Sequence, residues 1–217
     1  MAEPYELTLL VTGQVPGHLQ TRHGGYQEMF ARRFARVASV SWKVVDLRDG
    51  SNFIPVEEKC GYVITGSASG TYDLDPWIKH AHEVIRELVA REQALLGVCF
   101  GHQLLASALG GMSGPHDQGF ATGLFAAGDG HGHLYFHQDQ VTEVPPGFRV
   151  SHQTPHCSIA GMKSADGRVV GVQFHPEFTP NFVEDLAQHR GLELSQRAQE
   201  PDRDSEDELL RDWLRRI

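Results

Sequence analysis

Leu95-Leu96-Gly97-Val98-Cys99-Phe100-Gly101-His102-Gln103-Leu104-Leu105 decides the fold, because an apolar strand runs straight into a helix with a cysteine at the bend. Glycines two positions before and after make Gly97-x-Cys99-x-Gly101, the pattern of a nucleophile elbow. Without side chains at Gly97 and Gly101 the chain can turn tightly, lifting the sulfur out of the sheet and aiming it over the start of the helix. Unpaired N–H groups at a helix N-terminus favour a thiolate there. The same turn leaves the backbone N–H of Phe100 free to donate to an oxyanion. A lone Gly-x-Cys-x-Gly equally suits an inert cysteine buried in a tight turn, so a base must be found elsewhere in the chain.

Outward from the elbow, residues 6–12, 40–47, 61–65 and 94–98 are short runs rich in Val, Ile and Leu and bounded by Gly, Pro or Asp, which read as buried strands. Segments 25–37 and 77–91 carry apolar residues three and four apart, as at Ile78, Ile85 and Leu88, and read as amphipathic helices. Such alternation predicts an α/β fold with a mostly parallel sheet, helices on both faces, and a ligand site at the carboxyl ends of the strands. Residues 110–132, dense in Gly, Ala, His and Asp, read as loop or irregular β. Residues 149–150, 156–160 and 169–174 read as further strands that extend the sheet in antiparallel fashion, with a turn at Ser164-Ala165-Asp166-Gly167. Leu209, Leu210, Trp213 and Leu214 at helical spacing predict a docked C-terminal helix over about 203–216, with Ser205 and Glu208 fitting a capping box.

The base comes from Val170-Gly171-Val172-Gln173-Phe174-His175-Pro176-Glu177-Phe178, which sets His175 at the end of an apolar strand with a carboxylate two residues on. In extended backbone, positions i and i+2 face the same way, so Glu177 can reach the His175 ring, fix its tautomer and support its imidazolium. Nucleophile, base and orienting acid are then all present, each tied to a strand end.

The paired segments Gly97-Val-Cys-Phe-Gly-His-Gln103 and Phe174-His-Pro-Glu-Phe178 resemble, in that order, the two signatures of class I glutamine amidotransferases. The resemblance covers roughly residues 60–180. It implies a flavodoxin-like three-layer sandwich, with Cys99 as nucleophile, His175 as base and Glu177 as third member of a triad. It also implies attack on the glutamine side-chain amide, a γ-glutamyl thioester and release of ammonia. Val63-Ile64-Thr65-Gly66-Ser67 stands where the family has a Gly-Gly-Pro-like oxyanion loop, so the N–H of Ser67 joins that of Phe100 as a candidate donor and Gly66 lies beside substrate. Phe136-His137-Gln138-Asp139-Gln140-Val141 resembles the family's His-x-Asp-x-Val stretch, which implies substrate contacts from His137, Asp139 and Gln103. Residues 119–133 depart from the family pattern, which leaves the pocket walls there open.

Composition narrows the partners. The chain has 217 residues, 40% of them hydrophobic and 22% charged, which suits one globular amidotransferase-like domain over residues 1–217. A formal net charge of −9 works against a general hold on nucleic acid or anionic lipid, and no apolar run approaches the roughly 20 residues of a membrane span. The first residues lack a basic, then apolar, export signal, so a cytoplasmic address is expected. Three widely spaced cysteines suit neither a disulfide framework nor zinc knuckles, and Cys60 and Cys157 read as structural. His131, His133 and His137 lack the thiolate or acidic company of a metal site, so neither metal nor cofactor is expected. Three functions remain open: a glutamine-hydrolysing amidotransferase that passes ammonia to a separate synthetase or ligase subunit, a stand-alone γ-glutamyl hydrolase or peptidase, and a non-catalytic binding or regulatory module.

Overall fold

The computed structural model describes residues 3–49, 59–128 and 130–217. In chain order the elements are β1 (Tyr5–Val11), α1 (Gly17–His23), α2 (Tyr26–Phe34), β2 (Val40–Asp46), β3 (Cys60–Ile64), α3 (Pro76–Ala90), β4 (Ala94–Val98), α4 (Phe100–Ala108), β5 (Met112–Pro115), β6 (Ala121–Ala126), β7 (Gly132–His137), β8 (Asp139–Glu143), β9 (Phe148–His152), β10 (Gly161–Ser164), β11 (Val169–Val172), α5 (Pro180–Arg190) and α6 (Arg203–Leu214). The main sheet runs β2-β1-β3-β4-β11-β10-β9. From β2 to β11 neighbouring strands are parallel, and β10 and β9 add the antiparallel edge. This is the expected flavodoxin-like α/β architecture.

The central strands look continuously apolar because both faces of the sheet are covered. Tyr62, Ile64 and Leu95 face the layer of α3 and α4, where Ile78, Ile85, Leu104 and Leu105 pack. Leu7, Leu9, Val63, Leu96 and Val98 face the opposite layer, formed by Phe30 and Phe34 of α2 with Leu210, Trp213 and Leu214 of α6. A third cluster joins Leu134 and Phe136 of β7 to Phe178, Phe182 and Val183 around α5, at the end of the sheet where the strands stop. Among the described residues no helix is long and apolar enough to cross a membrane.

Several local expectations are corrected. Residues 156–160 are not a strand, since Thr154 caps a turn by accepting from the N–H of Cys157 at 2.9 Å, and β10 starts only at Gly161. That side-chain bond competes with ladder pairing. The stretch 110–132, expected as loop or irregular β, holds ladder-paired strands, since β5 pairs with β8 and β6 with β7 in two small antiparallel ribbons. Helix α2 stops at Phe34 rather than Val37, and the structure adds α1 and α5, the latter marked by local signals. Its Thr179 cap accepts from the N–H of Phe182, Pro180 opens the helix, and Gly191 closes it at φ +66°. The capping box of Ser205 and Glu208 is absent: α6 begins at Arg203, and Asp202 caps it by accepting from the N–H of Ser205 at 3.1 Å. A short carboxylate three residues ahead of that N–H outcompetes the serine. The turn at Ser164–Gly167 forms as expected, with Gly167 at φ +75° and Ser164 Oγ donating to Asp166 at 2.6 Å.

Trp213 anchors α6, with its ring 1% exposed and its Nε1–H donating to the carbonyl of Arg168 at 3.2 Å. Replacing it with Ala is expected to cost about 3–5 kcal/mol, read as a lower urea midpoint at an unchanged slope.

Candidate active site

Cys99 sits between β4 and α4 at φ +53° and ψ −107°, a conformation that L-residues rarely adopt. Gly97 and Gly101 make it possible. A Cβ on Gly97 would lie 2.4 Å from the carbonyl oxygen of Gly101, and one on Gly101 would lie 2.5 Å from that of Ile64. Both obstacles are backbone, so neither position admits a side chain. The N–H of Cys99 donates to Val172 of the neighbouring β11 at 2.8 Å, which locks the elbow to the strand that delivers the base.

His175 follows β11, its N–H donating to the carbonyl of Leu134 at 2.8 Å. Its Nδ1 stands 2.8 Å from Glu177 Oε1, while the Cys99 thiol donates to the carbonyl of Phe136 at 3.8 Å. Nδ1 therefore carries a proton toward the carboxylate, and Nε2 takes no part in that bond. The ring is stacked on Phe178, with centroids 3.8 Å apart and planes 3° apart. Burial works against an imidazolium here. Glu177 and Cys99 outweigh it, and the pKa of His175 rises to about 10. All three residues are almost fully buried.

Cys99 and His175 open on one cavity of about 640 Å³ that is also lined by Gly66, Ser67, Gln103, His137 and Asp139. Gly66 presses close: a Cβ there would lie 3.1 Å from His175 Cε1 and 3.7 Å from Cys99 Cβ. Its loop is tied to the end of β1, since Thr12 Oγ1 donates to the carbonyl of Thr65 at 2.8 Å and the N–H of Thr12 donates to Thr65 Oγ1 at 3.0 Å. The elbow, the 65–67 loop and the His175 turn thus meet at the carboxyl ends of β3, β4 and β11. Such a grouping can perform acyl transfer through a thiolate.

Residues 23–185 match the family described as Glutamine amidotransferase class-I. This chain belongs to that family. Over 171 residues it is 31% identical to a GMP synthase [glutamine-hydrolyzing] of Aromatoleum aromaticum, an overlap covering 70% of this chain and 32% of that one. A GMP synthase [glutamine-hydrolyzing] of Thermus thermophilus is 40% identical over 130 residues, covering 54% of this chain and 26% of that one. The chain thus spans about a third or less of the length of these curated relatives. Its fold is that of the crystal structures of glutamine amidotransferases from Methylobacillus flagellatus, with TM-score 0.69 and 20% identity over 100% of this chain and 94% of that one, and from Thermotoga maritima, with TM-score 0.68 and 18% identity over 99% and 96%.

The expected pocket residues Gly66, Gln103, His137 and Asp139 all reach the cavity, though not with equal freedom. Gln103 spends its Nε2 on the carbonyl of Asp139 at 2.6 Å and on Gln173 Oε1 at 3.1 Å, so it braces the wall. His137 donates from Nδ1 to the same carbonyl at 3.0 Å. Burial, the largest cause, lowers its pKa to about 3, so the ring is neutral and Nε2 is a buried acceptor without a partner. The neighbouring Asp139 carboxylate raises the pKa of the Tyr72 hydroxyl to about 12. His131, His133 and His137 go to separate partners, Asp202, Glu206 and Asp139, and among the described residues no group of three metal-ligating side chains converges. Cys60 and Cys157 are buried thiols, and burial raises Cys157 to about 12.

Sequence reading missed Tyr26, at the start of α2. Its hydroxyl lies 3.3 Å from where a Gly66 Cβ would be, and burial first, then Glu177 and Cys99, raise its pKa and keep the phenol protonated. Nothing in a Gly-Gly-Tyr opening marks such a role, because only the tertiary fold sets α2 beside β3. Phe178, the last residue of the Phe174–Phe178 motif, is the platform under the His175 ring.

Since the pKa of His175 lies above its ordinary 6.5, its charged ring stabilises the fold fully below about pH 6.5, and that contribution fades as pH rises through 10. ¹⁵N NMR of the ring is expected to show deprotonation near pH 10. Glu177→Gln should lower that midpoint and flatten the alkaline loss of unfolding free energy. A midpoint near 6.5 in the unaltered protein would contradict this reading.

Proposed function

We propose that this amidotransferase hydrolyses the side-chain amide of glutamine through a thioester on Cys99. The observation that carries the reading is the meeting of a sulfur on a positive-φ elbow with an imidazole held at 2.8 Å by Glu177, both at the wall of one cavity. The Cys99 thiolate attacks the amide carbon, and the N–H groups of Phe100 and Ser67 receive the oxyanion. Protonated His175 gives its proton to the departing nitrogen, which leaves as ammonia. His175 then takes a proton from water, the resulting hydroxide attacks the thioester, and glutamate leaves as the thiolate re-forms. Proton transfer of this kind contributes roughly 10²–10⁴-fold, and one oxyanion donor on the order of 10²–10³.

The relatives named as glutamine-hydrolysing support glutamine as the substrate, and their additional length supports delivery of ammonia to a separate synthetase partner. A second reading, hydrolysis of a larger γ-glutamyl amide, draws support from the cavity, whose roughly 640 Å³ falls among sites that hold drug-sized ligands. Intact nucleophile, base and acid weigh against a purely regulatory module.

Purified protein assayed with glutamine and a panel of γ-glutamyl amides separates the readings. The expected outcome is ammonia and glutamate from glutamine, a covalent γ-glutamyl adduct on Cys99 by mass spectrometry, and neither in Cys99→Ala. Turnover of the amides with none of glutamine would transfer the assignment to the second reading; activity undiminished in Cys99→Ala would end the mechanism.

A further inference from the structure

Glu177 orients the base, yet its own position is weakly determined by its side chain. One carboxylate oxygen faces His175 Nδ1 at 2.8 Å, while the other, Oε2, is buried and has no hydrogen-bond partner. The carboxylate must therefore be placed by its backbone. That backbone is held from outside the family match, which ends at residue 185. Arg203, the first residue of α6, donates from one guanidinium nitrogen to the carbonyl of Pro176 at 2.7 Å and from another to the carbonyl of Phe178 at 2.7 Å. These are the residues on either side of Glu177. The first nitrogen also donates to Glu206 Oε2 at 2.9 Å. Glu206 is fully buried, with Arg33 at 3.5 Å and His133 Nδ1 at 3.4 Å as further partners. His133 in turn stacks on Phe174, the residue before the base, with centroids 4.0 Å apart.

A cation in the first turn of a helix opposes the helix dipole. Local preference therefore does not account for Arg203, whereas a planar fork that reaches two carbonyls at once does. We propose that Arg203, fixed by Glu206, is a positioning residue for the active site, clamping the backbone on both sides of Glu177 so that its carboxylate stays on His175. The inference rests on the catalytic reading of Cys99, His175 and Glu177. It also gives the C-terminal helix a part in the site: α6 carries the clamp, and its apolar face holds the clamp against the sheet.

The test compares wild type with Arg203→Lys and Arg203→Ala. Lysine keeps a charge opposite Glu206 and should preserve the fold, but one ammonium cannot match the fork to both carbonyls. The groups facing His175 are Glu177, Cys99 and His137, all unchanged in these variants. Arg203→Lys is expected to keep a urea midpoint near that of wild type, to lower the His175 titration midpoint seen by NMR, and to lose up to about 10²-fold in kcat on glutamine with little change in KM. Arg203→Ala, where it folds, should do both more strongly. A folded variant whose His175 midpoint stays at the wild-type value overturns the proposal, whatever its kcat, because Arg203 would then not act through Glu177. The NMR titration needs no substrate, so a wild-type protein that leaves glutamine untouched would remove the proposed reaction while the midpoint still decides the role of Arg203.

Discussion

The constraint on which everything else depends is the backbone of Cys99, held at φ +53° between a strand and a helix. Residues other than glycine reach that region only at a cost of order 1–3 kcal/mol, and they stay there only when the surroundings over-determine them. Here the surroundings do so on three sides. Gly97 and Gly101 admit the close backbone approaches, β11 accepts the N–H of Cys99, and α4 takes its carbonyl through the N–H of Gln103 at 3.1 Å. The sulfur is thereby projected from the carboxyl end of β4 into the cavity that His175 also lines.

A second layer of order is electrostatic. Buried charge is costly, and an imidazolium at a site with no exposure survives only beside compensating charge. Glu177 and Cys99 provide it. The same principle orders the network behind the site, where Arg33 meets Asp207 at 2.5 Å and Glu206 at 3.5 Å, and Arg203 meets Glu206 at 2.9 Å. These pairs bind α2 and α6 together under the sheet and reach the backbone around the base. Removing one partner from such a network costs far more than the pair contributes, because a buried charge is left alone. The C-terminal helix therefore joins the buried ion-pair network to the backbone beside Glu177.

Reading the chain alone succeeded where the signal was local and doubled. Strands β1, β3 and β4 are apolar on both faces and bounded by turn formers, so no competing pattern fits them. The elbow is written in five consecutive residues, and His175 with Glu177 in three. It failed where side chains compete with backbone pairing, as at Thr154 and Cys157, or where short ribbons such as β5 with β8 have no periodicity of their own. It passed over α5 despite Thr179, Pro180 and Gly191, since that helix has only Phe182, Val183 and Ala187 buried and presents a weak apolar stripe.

Sequence by itself determined the elbow at Cys99, the pairing of His175 with Glu177, and the strands and helices from β1 to α4 other than α1, because each follows from patterns between residues a few positions apart. Tertiary structure alone decided that Tyr26 stands over Gly66, that Gln103 braces Asp139, and that Arg203 grips the carbonyls beside Glu177. Those relations join residues tens of positions apart in the chain. Their energies come from packing and burial of the assembled chain, for which no local pattern in the sequence stands as a proxy.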